Sequence, residues 1–110
     1  MEANPRTVES YQAGDSVPFD DWLGRLKDAK GKAQIEARIN RLRRGSLGDF
    51  DDVGEGVLEL RLDSVGPGYR VYIADNGVSS LLLCGGTKRT QVSDIARAKR
   101  IWKEYKRRDA

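Results

Sequence analysis

Apolar residues recur along the chain in two rhythms. Phe19, Trp22, Leu23 and Leu26 fall at helical spacing and give one apolar stripe to a helix opening near Ser16–Pro18. Proline suits a first turn, and Asp20 and Asp21 complement the positive end of the helix dipole. Gly31 interrupts the run. Ile35, Ile39 and Leu42 then repeat the pattern over residues 32–44, and Gly45 reads as a C-terminal cap. The pair is expected as an antiparallel helical hairpin.

The second rhythm alternates. Leu58, Leu60 and Leu62 are interleaved with Glu59, Arg61 and Asp63; Tyr69, Val71 and Ile73 with Arg70, Tyr72 and Ala74. Asn76-Gly77 is a two-residue hairpin signal, and it leads into Val78–Cys84, a more continuous apolar run suited to a central strand. Residues 6–12 read as a first strand, and residues 45–56, rich in Gly and Asp, as a loop. Residues 85–91 read as a second loop, and 92–108 as a last helix with Ile95, Ala98, Ile101, Trp102 and Tyr105 inward. The expected order is β-α-α-β-β-β-α. This is an α+β domain over residues 1–110, an antiparallel sheet with an N-terminal helical hairpin and a C-terminal helix.

Charge sharpens the picture. The formal net charge of +3 conceals an uneven distribution. Residues 25–44 hold eight bases and two acids, residues 88–110 nine bases and three acids, and residues 45–64 six acids and one base. Two basic helices around an acidic connector suit contact with nucleic-acid phosphates, and equally suit solvated helix faces. No run approaches the roughly 20 apolar residues of a membrane span, and the N-terminus lacks a basic–apolar signal pattern.

Absent residue types narrow the chemistry. With no histidine there is no histidine-based triad and no histidine-ligated metal site; neither metal nor cofactor is expected. Cys84, the lone cysteine, closes no internal disulfide, and a reducing cytoplasm is its natural setting. Its apolar neighbours place it in the core. Any catalysis must use carboxylates, Tyr, Lys, Arg or Ser/Thr.

The alternation places Glu59, Arg61, Arg70 and Tyr72 on one sheet face, away from the apolar residues. Pairing through the short 64–68 turn brings Arg61 beside Arg70. Like charges side by side on a sheet are unfavourable unless an anion lies between them. Glu59 is one candidate for that anion, and a phosphate is the other. Lys88 and Arg89, in a glycine-led loop before the last helix, suit a phosphodiester or simply face solvent. Asp94 reads as a helix-start charge.

These residues resemble the RelE/ParE superfamily of type II toxins, in the HigB-like subgroup of addiction module killer proteins. The resemblance rests on Phe19-Asp-Asp-Trp-Leu23, Ala37-Arg-Ile-Asn-Arg-Leu42, Gly45-Ser-Leu-Gly-Asp49, Val53–Arg61, Gly66–Tyr72, Leu81–Lys88 and Thr90-Gln91. It implies an mRNA endonuclease working on the ribosome, driving the 2′-hydroxyl onto the adjacent phosphate without metal. It further implies phosphate-binding roles for Arg61, Arg70, Lys88 and Arg89. Tyr72 is expected as base or base-stacker, and Tyr69 as core. Glu59 departs from the pattern, standing where ribosome-dependent members carry a further lysine, and the last helix has no obvious match to their late catalytic tyrosine.

The implied partners are a cognate helix-turn-helix antitoxin, the ribosome and mRNA, with promoter DNA reached only through the antitoxin and no membrane. A ParE-like protein-binding inhibitor of DNA gyrase and a non-toxic nucleic-acid-binding relative are the alternatives. Phe19 and Trp22, beside Leu23 and Leu26, are expected in the core, with a partner interface as the alternative.

Overall fold

A computed structural model describes residues 4–109. The elements are β1 (Thr7–Ser10), α1 (Pro18–Arg25), α2 (Ala29–Arg43), β2 (Phe50–Gly54), β3 (Val57–Leu62), β4 (Tyr69–Asp75), β5 (Ser79–Thr87) and α3 (Gln91–Asp109). One 3-10 turn, Lys88–Thr90, joins β5 to α3. The five strands form one sheet in the order β1-β5-β4-β3-β2. β1 runs parallel to β5, and the remaining pairs are antiparallel.

The α+β class therefore stands, but the expected order and the antiparallel sheet do not. Two findings overturn them. The stretch read as a loop contains β2, which pairs with β3 in the register Phe50↔Leu60, Asp51↔Glu59 and Asp52↔Leu58. β2 is an edge strand, exposed through most of its length, so nothing demands the apolar alternation by which a strand is recognised. Its register shifts between Asp52 and Gly54, and Gly54 takes a φ of 94°, a value natural to glycine. The second finding is β1, whose parallel pairing makes the sheet mixed.

Element ends also moved. α2 begins at Ala29, where the Asp28 carboxylate caps the helix by accepting from the Gly31 N–H at 2.9 Å. Gly31 thus lies inside the first turn and breaks nothing. β5 runs on through Gly85 and Gly86, where Trp22 and Asp94 press so closely that only glycine leaves them room.

Two apolar layers sandwich the sheet. Phe19, Ile35, Ile39 and Leu42 from α1 and α2 pack with Leu60, Leu62, Tyr69, Val71, Ile73 and Leu82 on one face. On the other, Ala98, Ile95, Ile101, Trp102 and Tyr105 of α3 pack on Val57, Tyr72, Ala74, Leu83 and Cys84. An irregularity in the β4–β5 pairing makes this possible: Ile73 pairs Leu82 and Tyr72 pairs Cys84, so Leu83 is the extra residue. Phe19 and Cys84 are buried, as their neighbours predicted; Trp22 is half-buried at the edge of its cluster. Among the described residues, no helix is long and apolar enough to cross a membrane.

Candidate functional site

The β3–β4 register sets Glu59 opposite Tyr72 and Arg61 opposite Arg70. The anion between the arginines is Glu59. Arg61 Nε donates to its Oε1 at 2.9 Å, and Arg70 Nε lies 3.9 Å from the same oxygen. Gln91, the first residue of α3, donates from Nε2 to both oxygens at 3.1 and 2.9 Å, and the Tyr72 hydroxyl donates to Oε2 at 2.9 Å. Glu59 is fully buried. Burial pushes its carboxyl up, but the hydrogen bonds from Arg61, Gln91 and Tyr72 outweigh that and hold it below the ordinary carboxylate range.

Tyr72 is the correction this network forces. Its side chain is fully buried beneath α3, so it stacks on no incoming base. Burial first, then the Glu59 carboxylate it bonds, push its hydroxyl well above the usual tyrosine value, the wrong direction for a general base. Tyr72 holds Glu59 in place. Tyr69 faces the other layer, where its hydroxyl donates to Asp28 Oδ2 at 2.8 Å.

Toward solvent the two arginines differ. Arg70 is 3% exposed, and its Nη1 pairs with Asp63 Oδ1 at 2.7 Å. Arg61 is half-buried, and its Nη2 donates to Asp51 Oδ2 at 3.0 Å. The Lys88 N–H donates to the Gly68 carbonyl at 2.8 Å, which seats the 3-10 turn against the start of β4. Hydrogen bonding by Arg70, followed by the charges of Arg70, Lys88 and Arg61, holds the Asp63 carboxyl below its usual range. Asp63, the Arg70 guanidinium and the stem of Lys88 thus lie together around Gly68, while Arg61 is turned to Glu59 and Asp51. Arg89 is exposed on the same turn, joined to none of them by a hydrogen bond or ion pair.

Four contributors escaped the sequence reading. Asp63 follows Glu59 and Arg61 on the same strand face, so the alternation held its signal. Asp51 was hidden with β2, and Gln91 carries no local signature. Arg38, one of the eight bases of residues 25–44, is buried: it donates to the carbonyls of Leu47 (3.0 Å), Asp49 and Arg61 (2.8 Å), tying the 47–49 loop and β3 to α2. A groove of about 480 Å³ opens beside it, lined by Arg41, Arg61, Asp63 and Ser64 among others.

The cluster is a set of paired charges. Two cations, Arg61 and Arg70, pair with three carboxylates, Asp51, Glu59 and Asp63, and Lys88 stands beside them at Gly68. Glu59 is locked, whereas Asp51 and Asp63 are more than half exposed.

A protein of Haemophilus influenzae (strain ATCC 51907 / DSM 11121 / KW20 / Rd), which bears the name "Uncharacterized protein", is 49% identical to this chain over 96 residues. The match covers 86% of this chain and 96% of its relative. No known family's sequence profile matches the chain, and no solved structure matches it.

Proposed function

We propose that this chain, which belongs to the same family as the Haemophilus influenzae protein, is the toxin of a RelE/ParE-type toxin–antitoxin module and cleaves mRNA on the ribosome. One observation carries the reading. Arg61 and Arg70 stand directly opposite each other on adjacent strands, with the exposed Lys88 beside Asp63 at Gly68. Glu59 balances the pair from within, while the outer partners, Asp51 and Asp63, are more than half exposed, so a phosphodiester brings a charge that can take their place.

In this mechanism Arg61 and Arg70 bind the scissile phosphate and neutralise the charge that grows as the 2′-hydroxyl attacks it. The new P–O2′ bond forms as the P–O5′ bond breaks, leaving a 2′,3′-cyclic phosphate. Lys88, exposed beside this face, donates the proton that the departing 5′-oxygen takes up, in place of the sealed Tyr72, and the 2′-hydroxyl proton passes to water. A cognate helix-turn-helix antitoxin would neutralise the toxin in the cytoplasm and carry it to promoter DNA.

A second reading, inhibition of DNA gyrase by protein binding, is favoured by the burial of Tyr72, which leaves the face without the expected tyrosine. Expressing the chain alone and mapping RNA 5′ ends against DNA breaks separates the two. Growth arrest with new mRNA ends is expected, and Arg61→Ala with Lys88→Ala should slow cleavage by on the order of tenfold or more. Arrest with DNA breaks and intact mRNA overturns the nuclease reading in favour of the second. No arrest overturns both.

A further inference from the structure

Arg70 is buried up to its guanidinium, yet that group is incompletely partnered. Among the described residues, its Nε is a buried side-chain atom with no hydrogen bond. Glu59 Oε1 lies 3.9 Å away, too far to accept one. Nη1 reaches the uncharged carbonyls of Tyr69 at 3.2 Å and Gly68 at 3.5 Å. Its short ionic contact, 2.7 Å, is to Asp63, whose side chain is 56% exposed while that of Arg70 is 4% exposed. A buried cation is thus closed on its open side by a carboxylate that stands in water.

We infer that Asp63 occupies the seat of the substrate phosphate, and that an RNA phosphodiester binds by displacing this carboxylate from Arg70. The inference rests on the reading of the cluster as an RNA site and names what controls entry to it. The exchange swaps one anion for another, so Arg70 is never left buried without a counter-charge, the costly alternative. A phosphodiester offers two oxygens to a guanidinium that now holds one carboxylate oxygen, so the incoming ligand makes the better-matched contact.

Asp63 leaves cheaply, because it is already largely hydrated. It also lines the groove that holds Arg41, Arg61 and Asp49, so the displaced carboxylate has open space with cations within it to move into. Asp63 is a carboxylate at neutral pH in any case, and Arg70, by its hydrogen bond and then its charge, holds it below the ordinary range, so it competes as an anion. Asp63 thereby sets the affinity of the seat: a ligand must outbid a built-in carboxylate.

The test titrates the native chain, Asp63→Asn and Asp63→Glu with a short single-stranded 2′-O-methyl oligoribonucleotide, which offers no 2′-hydroxyl for attack. A parallel titration uses inorganic phosphate, and the arginine Nε–H resonances report the site. D63N is expected to bind the oligoribonucleotide about fivefold tighter than native, the size of one partly exposed ion pair, with Asp63→Glu staying near native affinity. Equal or weaker binding of both probes by D63N overturns the inference. Tighter phosphate binding by D63N without oligoribonucleotide binding keeps the displaced carboxylate and overturns the RNA reading instead. Asp63→Ser, which also lacks the carboxylate, gives the same comparison should D63N fold poorly.

Discussion

The hydroxyl of Tyr72 donates to Oε2 of Glu59 at 2.9 Å, and both side chains are fully buried. A tyrosine committed to a buried carboxylate is a structural residue. Tyr72→Phe should therefore leave the growth arrest caused by the chain intact. It should lower stability by about 1–3 kcal/mol, because Glu59 loses one donor while keeping Arg61 and Gln91. Urea denaturation checks the second outcome, and induction in growing cells the first. Loss of arrest at unchanged stability would restore Tyr72 to the chemistry.

Acid should unfold the protein through its paired carboxylates. Burial pushes Glu59 and Asp75 up, but hydrogen bonds win at both: Arg61, Gln91 and Tyr72 at the first, Arg6 and Ser80 at the second. Their folded values lie below their unfolded ones. Each contributes stability that is complete above the unfolded value, about 4, and is lost as pH falls through the folded value. The urea midpoint should hold from about pH 7 to about pH 5 and fall steadily toward about pH 3. Glu59→Gln should start lower and fall less steeply, since it has no proton to take up. A slope identical to that of the native chain would remove Glu59 from the account.

Much of this arrangement was legible where packing and alternation agree. Leu58, Leu60 and Leu62 against Glu59 and Arg61 fixed the faces of β3, and the short 64–68 turn fixed the Arg61–Arg70 register. Ile35, Ile39 and Leu42 fixed the buried side of α2. What stayed hidden has physical causes. β2 packs too little of itself to need an apolar pattern, so Asp51 could not be placed beside Arg61. The fate of Tyr72 depends on α3 crossing the same face and delivering Gln91 to Glu59, a contact between residues 32 positions apart. Arg38 shows the reverse error: a base within a charged run proved to be a buried staple, because three carbonyls needed donors there.

Cys84 should be inert in the native state. It lies fully buried under α3, and burial pushes its thiol up to about 12. The thiolate that reacts is therefore scarce as well as inaccessible. A disulfide reagent such as 5,5′-dithiobis(2-nitrobenzoic acid) should titrate no thiol at neutral pH and one per chain in concentrated urea. Prompt native-state reaction would mean that α3 lifts from the sheet on the timescale of the assay.

Two glycines in helices should respond to alanine with opposite signs. Gly24 lies exposed in α1 with nothing within 4 Å of an added Cβ, and its φ is not in the left-handed region. Alanine there removes backbone freedom from the unfolded chain and should stabilise by about 0.5–1 kcal/mol. Gly31 has the same residue type in the first turn of α2 and the opposite surroundings. A Cβ there would stand 2.5 Å from Tyr69 Cε2 and 2.6 Å from Asp28 Oδ2. Those two side chains are bonded to each other at 2.8 Å, and Asp28 also caps α2 through the Gly31 N–H. The methyl group can be admitted only by moving the tyrosine off its carboxylate or the carboxylate off the helix end. Gly31→Ala should therefore lose about 1–3 kcal/mol despite the gain in helix propensity. Thermal denaturation of the two variants side by side decides it: the midpoints should move apart, Gly24→Ala above native and Gly31→Ala below. A Gly31→Ala midpoint at or above native would show that the Tyr69–Asp28 contact yields freely and does not hold α2 to the sheet.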